Sequence, residues 1–291
     1  MDGAQFTSRG PLTTDQVARY RRDGFVVAKA MLDADLVAAC LEALSGIAEG
    51  KAPVSDARAM LERAIDPSAV TEANRLDHVR KFVDFTDDFP ALRRAAMLRP
   101  LHQAIDQIMG EGRVLFQEMA LVKPPRIGSA KRWHQDASYF RVSDPNLIVG
   151  VWIALDPSTH LNGCMQAIAG SHLGGPVPHV PMGDVNECHI RPDLVRAEQA
   201  QLIEMQPGDA MIFHACLHHY TAPNNSDLRR RALQFHYHQV GMDWLDLAAH
   251  QRDFHDESGA YAGCTVAVEP IPDGVSYSYR PGRPRPVVPL D

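Results

Sequence analysis

The spacing of apolar residues is helical along the first part of the chain and becomes strand-like from about residue 113. Thr13-Thr14-Asp15 predicts the cap of a short helix carrying Val17, Tyr20 and Arg21, which Gly24 ends. Phe25-Val26-Val27 reads as a short strand. A second helix is expected from near Asp33-Ala34-Asp35 through Leu36, Ala39, Leu41 and Leu44 to Gly50. A third should cover Leu98 to Met109 and break at Gly110. Residues 51–80 scatter charges among Met60, Leu61 and Val70 and support no assignment.

Beyond this point the pattern predicts strands at 113–123, 147–155, 163–168, 209–214, 216–222 and 231–238, separated by Pro, Gly, Asn and Asp clusters. Helices come first and strands follow, which fits a β-sandwich or barrel under an N-terminal helical layer and not a Rossmann-type alternation. The expected organisation is one domain over 1–291, with the helical layer at about 13–110 and the β core at about 113–240. A C-terminal helix and an extended tail should occupy 241–291, where the Pro-rich, basic Arg280 to Pro286 reads as a surface segment.

Composition narrows the function classes. Formal net charge is -7, which argues against a general nucleic-acid binder. Five cysteines, odd in number, widely spaced and without a CxxC, argue against a disulfide framework or zinc ribbon and for a reducing compartment. No signal-peptide core stands out, and no stretch approaches the roughly 18 apolar residues of a membrane span. A cytoplasmic protein without a membrane partner is the expectation, with the oligomeric state left open. The 14 histidines are the compositional hint of metal chemistry.

Arg132-Trp133-His134-Gln135-Asp136 contains a His-x-Asp. In a strand, residues i and i+2 share a face, so an imidazole and a carboxylate could bind one ion from one segment. Alone this pattern is common by chance. The segment from Gly208 to Ala232 adds further imidazoles on a strand, a turn rich in Pro and Asn, and arginines opening the next strand. Two His and one carboxylate on an octahedral ion leave three positions open, the arrangement of non-haem Fe(II) oxygenases. Two of those positions can chelate the keto-carboxylate end of 2-oxoglutarate and the third can take O₂. The far carboxylate then calls for a buried cation, which Arg supplies in bidentate form.

With these marks the chain resembles the phytanoyl-CoA dioxygenase family of Fe(II)/2-oxoglutarate oxygenases, from the opening Leu12-Thr-Thr-Asp-Gln to about residue 240. The resemblance rests on Lys123-Pro-Pro, His134-Gln-Asp136, Trp152-Ile-Ala-Leu, Asn162-Gly-Cys-Met, Gly170-Ser-His172 and the block from His219 to Arg231. It implies a double-stranded β-helix, a cupin-like jelly roll with α-helices packed outside. It implies His134, Asp136 and His219 as iron ligands and Arg230, eleven positions after His219, as the partner of the distal carboxylate of 2-oxoglutarate. Thr221 stands where the family usually has Ser and keeps the hydroxyl. Trp152, Met119, Lys81 and Gln135 match further cosubstrate contacts. Ala169 replaces a Pro of the family pattern.

Neighbouring histidines compete for these roles. His218 and His219 are adjacent and face opposite sides of a strand, and the spacing to Asn224, Ser226 and Arg230 selects His219. Arg230, Ala232, Gln234, His236 and His238 should share one face. His236 lies roughly 20 Å along the strand from Arg230 at about 3.3 Å per residue, too far to share the iron, and reads as a hydrogen-bonded interior residue. The middle arginine of Arg229-Arg230-Arg231 should point inward and its neighbours outward.

The function implied is oxidation, by default hydroxylation, of an aliphatic C–H bond in a small molecule, with 2-oxoglutarate converted to succinate and CO₂. Desaturation, epimerisation, cyclisation and endoperoxidation use the same cofactors. Halogenation is disfavoured because Asp136 is present. A silent ligand-binding barrel and a cupin centred on His236 and His238 are the rival readings. Specificity is assigned to the loops at 51–80, 137–146, 173–205 and 241–263.

Overall fold

Helix α1 (Thr14–Asp23) opens with a capping box: Gln16 N–H donates to Thr13 Oγ1 at 3.2 Å, and Thr13 N–H to Gln16 Oε1 at 2.9 Å. Gly24 ends it at φ 83°, a left-handed turn that feeds the chain directly into β1. Asp33 caps α2 (Ala34–Ala48) by accepting from Leu36 N–H at 2.8 Å. Helices α3 (Pro90–Ala96) and α4 (Arg99–Met109) each carry Pro in the first turn, and α5 (Leu247–Asp253) follows the β core. This computed structural model describes residues 10–50, 58–62, 65–71, 73–142, 144–181, 188–243, 247–264 and 285–286.

The strands are β1 (Phe25–Ala28), β2 (Arg58–Leu61), β3 (Val79–Val83), β4 (Arg113–Lys123), β5 (Lys131–His134), β6 (Ile148–Ala154) and β7 (Met165–Ala167). They continue as β8 (His179–Pro181), β9 (Cys188–Ile190), β10 (Gln201–Ile203), β11 (Ala210–His214), β12 (His219–Thr221) and β13 (Arg230–Gln239). The larger sheet runs β1-β11-β6-β13-β4-β3-β2, and the smaller runs β10-β7-β12-β5. Strands β8 and β9 form a separate hairpin. Every pairing among the described residues is antiparallel.

Alternation on the central strands divides the interior in two. Val149, Val151 and Ile153 of β6 and Leu233, Phe235 and Tyr237 of β13 pack under the helices, against Tyr20, Leu36, Leu44 and Leu101. The opposite face presents Trp152, Ala154 and Ala232 to Met165, Ala167 and Ile203 of the smaller sheet. The architecture is a jelly roll with helices on its outer face, and the space between the two sheets is where the chemistry-bearing residues gather.

The helical part is not purely helical. Strand β1 pairs with β11, and β2 and β3 extend the larger sheet beyond β4. Arg80 and Lys81 interrupt the apolar run of β3, so its strand character comes from pairing with β4 rather than from its own pattern. The cysteines also depart from expectation, since Cys188 and Cys264 are joined in a disulfide across 76 residues while Cys40, Cys164 and Cys216 are free and buried. Their separation in sequence hid the pair. Of the tail, Arg285 and Pro286 pair with Leu115 and Val114 of β4, and residues 280–284 lie outside those described. No helix among the described residues is long and apolar enough to cross a membrane.

Candidate metal centre

The register of β5 and β12 sets His134 directly opposite His219, with ring centroids 4.0 Å apart. Each ring turns Nδ1 to a backbone carbonyl two residues back, His134 to Arg132 at 2.7 Å and His219 to Leu217 at 2.9 Å. Those carbonyls accept a proton on Nδ1, which leaves Nε2 as a lone-pair donor on both rings. The two Nε2 atoms lie 3.3 Å and 3.6 Å from Asp136 Oδ1. All three ligand atoms fall within 4.8 Å of one another on buried side chains. Burial pushes His219 down to about 3, which keeps its imidazole neutral and able to bind a metal. Burial raises the Asp136 carboxyl, but the surrounding imidazoles of His219, His236 and His134 outweigh it and hold it well below the usual carboxylate range.

The carboxylate does not come from the strand, as the i, i+2 argument expected. β5 ends at His134, and Asp136 opens a 3₁₀ turn (Asp136–Tyr139). Gln135 fixes the corner. Its Nε2 donates to the carbonyls of Gly175 and Cys216, each at 2.8 Å, and its Oε1 accepts from Val177 N–H at 2.9 Å. Its own N–H donates to His179 Nε2 at 3.1 Å. The Gln135 amide thus braces this corner against the backbone.

Behind the histidines, Phe213 packs 5.2 Å from the His219 ring. Gly150 makes room for it, because a Cβ at that position would lie 2.4 Å from the Phe213 ring. Strand β13 supplies the floor. Arg230 is 2% exposed, whereas Arg229 pairs with Asp77 and Arg231 with Asp156 at 2.7 Å, so the middle arginine points inward as alternation requires. The Arg230 guanidinium lies over Trp152, 5.2 Å from its ring centroid, and its Nε and Nη1 are buried without a hydrogen-bond partner. Burial lowers Arg230 to about 10, which leaves it charged at neutral pH.

A family profile described as Phytanoyl-CoA dioxygenase (PhyH) matches residues 20–232. The chain belongs to the phytanoyl-CoA dioxygenase family. It is accordingly an oxygenase of the iron- and 2-oxoglutarate-dependent class. The peroxisomal phytanoyl-CoA dioxygenase of Mus musculus is 26% identical over 245 residues, covering 81% of this chain and 71% of that one. Two solved structures share the fold: the carbocyclase SnoK from nogalamycin biosynthesis and EctD from S. alaskensis with 2-oxoglutarate and 5-hydroxyectoine. SnoK has a TM-score of 0.62 at 20% identity, covering 81% of this chain and 89% of its own. For EctD the TM-score is 0.62 at 20% identity, covering 92% and 90%.

The remaining residues matched to the phytanoyl-CoA dioxygenase family pattern fall on the face between the sheets. Thr221 and His219 are buried while Tyr220 between them stacks on Trp133, so Thr221 and His219 share a face. Met119 and Trp152 flank Gln234 on the two neighbouring strands, and cross-strand neighbours share a face. Lys81 sits opposite Leu121, which sits opposite Ala232. Burial and the charges of Arg80 and Lys131 push Lys81 down to about 7, with Asp136 and Asp84 opposing.

Two contacts were absent from the sequence reading. His236 Nε2 lies 2.8 Å and Gln234 Nε2 3.2 Å from Asp136 Oδ2. Alternation from Arg230 identifies both as inward-facing, but only the fold brings the Asp136 turn down onto them. His214 bonds Asn146 and Cys216, His238 lies against Phe116, and neither His218 nor His238 joins the His134, Asp136 and His219 group.

Proposed function

We propose that His134, Asp136 and His219 bind Fe(II), and that Arg230 with Thr221 holds the distal carboxylate of 2-oxoglutarate. Trp152, Met119 and Lys81 line the rest of the cosubstrate pocket. The observation that carries this reading is Arg230, a buried cation with two nitrogens lacking partners on the site face of β13. A desolvated guanidinium is costly unless an anion meets it, and a carboxylate matches its fork. The ligand set fits the metal equally well: two imidazoles and one carboxylate, with each ring's Nδ1 held by a backbone carbonyl from behind.

When bound, iron and 2-oxoglutarate supply an oxidative decarboxylation to succinate and CO₂, coupled through O₂ to oxidation of a C–H bond. The chain's own part is to orient and to exclude water. His134 and His219 present Nε2 from paired strands, Gln135 braces the turn that carries Asp136, and Trp152 shields the Arg230 charge. The reaction that follows is hydroxylation of an aliphatic C–H bond in a small molecule, selected by loops within 51–80, 137–146, 173–205 and 241–263. The reading treats 1–291 as one catalytic domain.

The test is succinate release from 2-oxoglutarate by the purified protein with Fe(II), first without substrate and then across a panel of carboxylic acids, amino acids, acyl-CoA thioesters and natural-product scaffolds. Metal-dependent succinate that one panel member stimulates, with that member gaining one oxygen, supports the reading. No metal-dependent succinate under any condition overturns it. A stimulated reaction whose product is desaturated, epimerised or cyclised replaces hydroxylation with that outcome.

A further inference from the structure

We infer that His236 and Gln234 are positioning residues that hold Asp136 to a single coordinating oxygen and so keep one position of the metal open. The inference rests on the assignment of His134, Asp136 and His219 as ligands.

The two oxygens of Asp136 have different surroundings. Oδ1 is the one the ligand imidazoles approach, at 3.3 Å and 3.6 Å. Oδ2 meets His236 Nε2 at 2.8 Å and Gln234 Nε2 at 3.2 Å. Both donors stand two residues apart on β13, and both are buried, at 0% and 5% exposure. Gln234 is held between Met119 and Trp152 in the ladder. The His236 ring is enclosed by Phe140 at 5.1 Å, Phe116 at 6.1 Å and Phe213 at 6.2 Å between centroids.

The enclosure also sets the tautomer. His236 Nδ1 is buried with no hydrogen-bond partner. A proton there would leave a buried donor unpaired and put two bare acceptors against each other at the Nε2 to Oδ2 contact. With the proton on Nε2, His236 donates to Oδ2 and no buried N–H is stranded. Oδ2 then has two donors and its lone pairs are used.

The consequence is one of coordination count. Two imidazoles and a one-oxygen carboxylate leave three of six positions, two for a chelating keto acid and one more. A carboxylate chelating through both oxygens would remove that last position. Holding Oδ2 away from the metal is therefore a requirement of the reaction, and β13 meets it with the same face that carries Arg230.

The test uses anaerobic protein, calorimetry with Fe(II) and then 2-oxoglutarate, and nitric oxide as an O₂ surrogate read by electron paramagnetic resonance. The parent should bind Fe(II), then 2-oxoglutarate, then nitric oxide. The double variant His236→Phe with Gln234→Leu should still bind Fe(II), while nitric oxide affinity of its 2-oxoglutarate complex falls tenfold or more. His236→Gln, which restores an N–H donor, should recover most of that loss, and His236→Phe alone should fall between. Thermal melting establishes that each variant is folded, and the single variants carry the test if the double variant is not. Nitric oxide affinities within twofold of the parent in His236→Phe and the double variant would overturn the inference. His134→Ala separates the two levels: retention of Fe(II) by this variant would mean that the ligand assignment itself fails.

Discussion

The Arg230 guanidinium lies over the Trp152 ring, 5.2 Å from its centroid, yet its Nε and Nη1 remain buried without a hydrogen-bond partner. Stacking on an aromatic face shelters a cation without satisfying its donors. Arg230→Leu should therefore raise the 2-oxoglutarate requirement by roughly 3–5 kcal/mol, the cost of leaving one partner of a buried ion pair alone. Arg229→Leu and Arg231→Leu should change it little, because those side chains pair with Asp77 and Asp156 instead. Titration of 2-oxoglutarate into the three variants checks this, and an equal loss in Arg229→Leu would show that the inward arginine had been misassigned.

His134→Ala, Asp136→Ala and His219→Ala should each abolish succinate formation, since each removes a third of the hold on iron. His218→Ala should be mild. His218 is buried, its backbone N–H donates to Ser171 Oγ at 2.9 Å, and its side chain is not part of the His134, Asp136 and His219 group. Iron content by elemental analysis and succinate release measure both. A reversed order for the two adjacent histidines would mean that the strand register is off by one.

The family resemblance pointed to His134, Asp136 and His219 in the sequence, and the fold brings their candidate ligand atoms within 4.8 Å of one another. His219, Thr221 and Arg230 fall where alternation puts them. What depended on tertiary approach stayed hidden. His236 was read as a hydrogen-bonded interior residue, and its partner is Asp136, which only the tertiary fold brings to it. The amide of Gln135 bonds the carbonyls of Gly175 and Cys216, which no local pattern places nearby. The disulfide was hidden for the same reason, as was β3, whose pairing with β4 overrides its mixed polarity.

Acid should destabilise the fold ahead of the carboxylates. Burial pushes His102, His214, His218 and His250 down to about 4 and His179 to about 3. In the unfolded chain each titrates near its ordinary value of about 6.5. The unfolded state therefore binds more protons as pH falls from about 6.5 towards 4, and the native state loses about 1.4 kcal/mol per pH unit for each proton so linked. Urea unfolding should show stability that declines steeply as pH falls through this window. A level profile down to about pH 5 would mean that these histidines protonate freely in the native state.

The Cys188–Cys264 bridge ties the segment after α5 to the turn that carries Asp136, since Cys264 N–H donates to the Ser138 carbonyl at 3.3 Å and Ser138 Oγ contacts Cys188 Sγ at 3.5 Å. Closing a loop of 76 residues should stabilise the native state by about 4 kcal/mol on the chain-entropy estimate. Cys188→Ser should lower the unfolding free energy by about that amount under non-reducing conditions and have little further effect once a reductant is present. Mass spectrometry of alkylated protein should find three free thiols, Cys40, Cys164 and Cys216. Five alkylated thiols in unreduced protein would remove the bridge.

Thr221 separates the cosubstrate pocket from substrate selection. It lies two residues beyond His219 on β12, on the same buried face, and opposite Lys131 and Met165 on the neighbouring strands. Its hydroxyl is expected to donate to the carboxylate that Arg230 holds. Thr221→Ser keeps the donor and should preserve 2-oxoglutarate affinity. Thr221→Val keeps the shape but leaves one carboxylate lone pair unmet, at a cost of roughly 1–3 kcal/mol. Neither change should alter which prime substrate stimulates succinate release, because that choice is proposed to lie with the loops. Binding of 2-oxoglutarate to both variants decides the matter: if Thr221→Val binds as the parent does, the hydroxyl points elsewhere and the carboxylate rests on Arg230 alone.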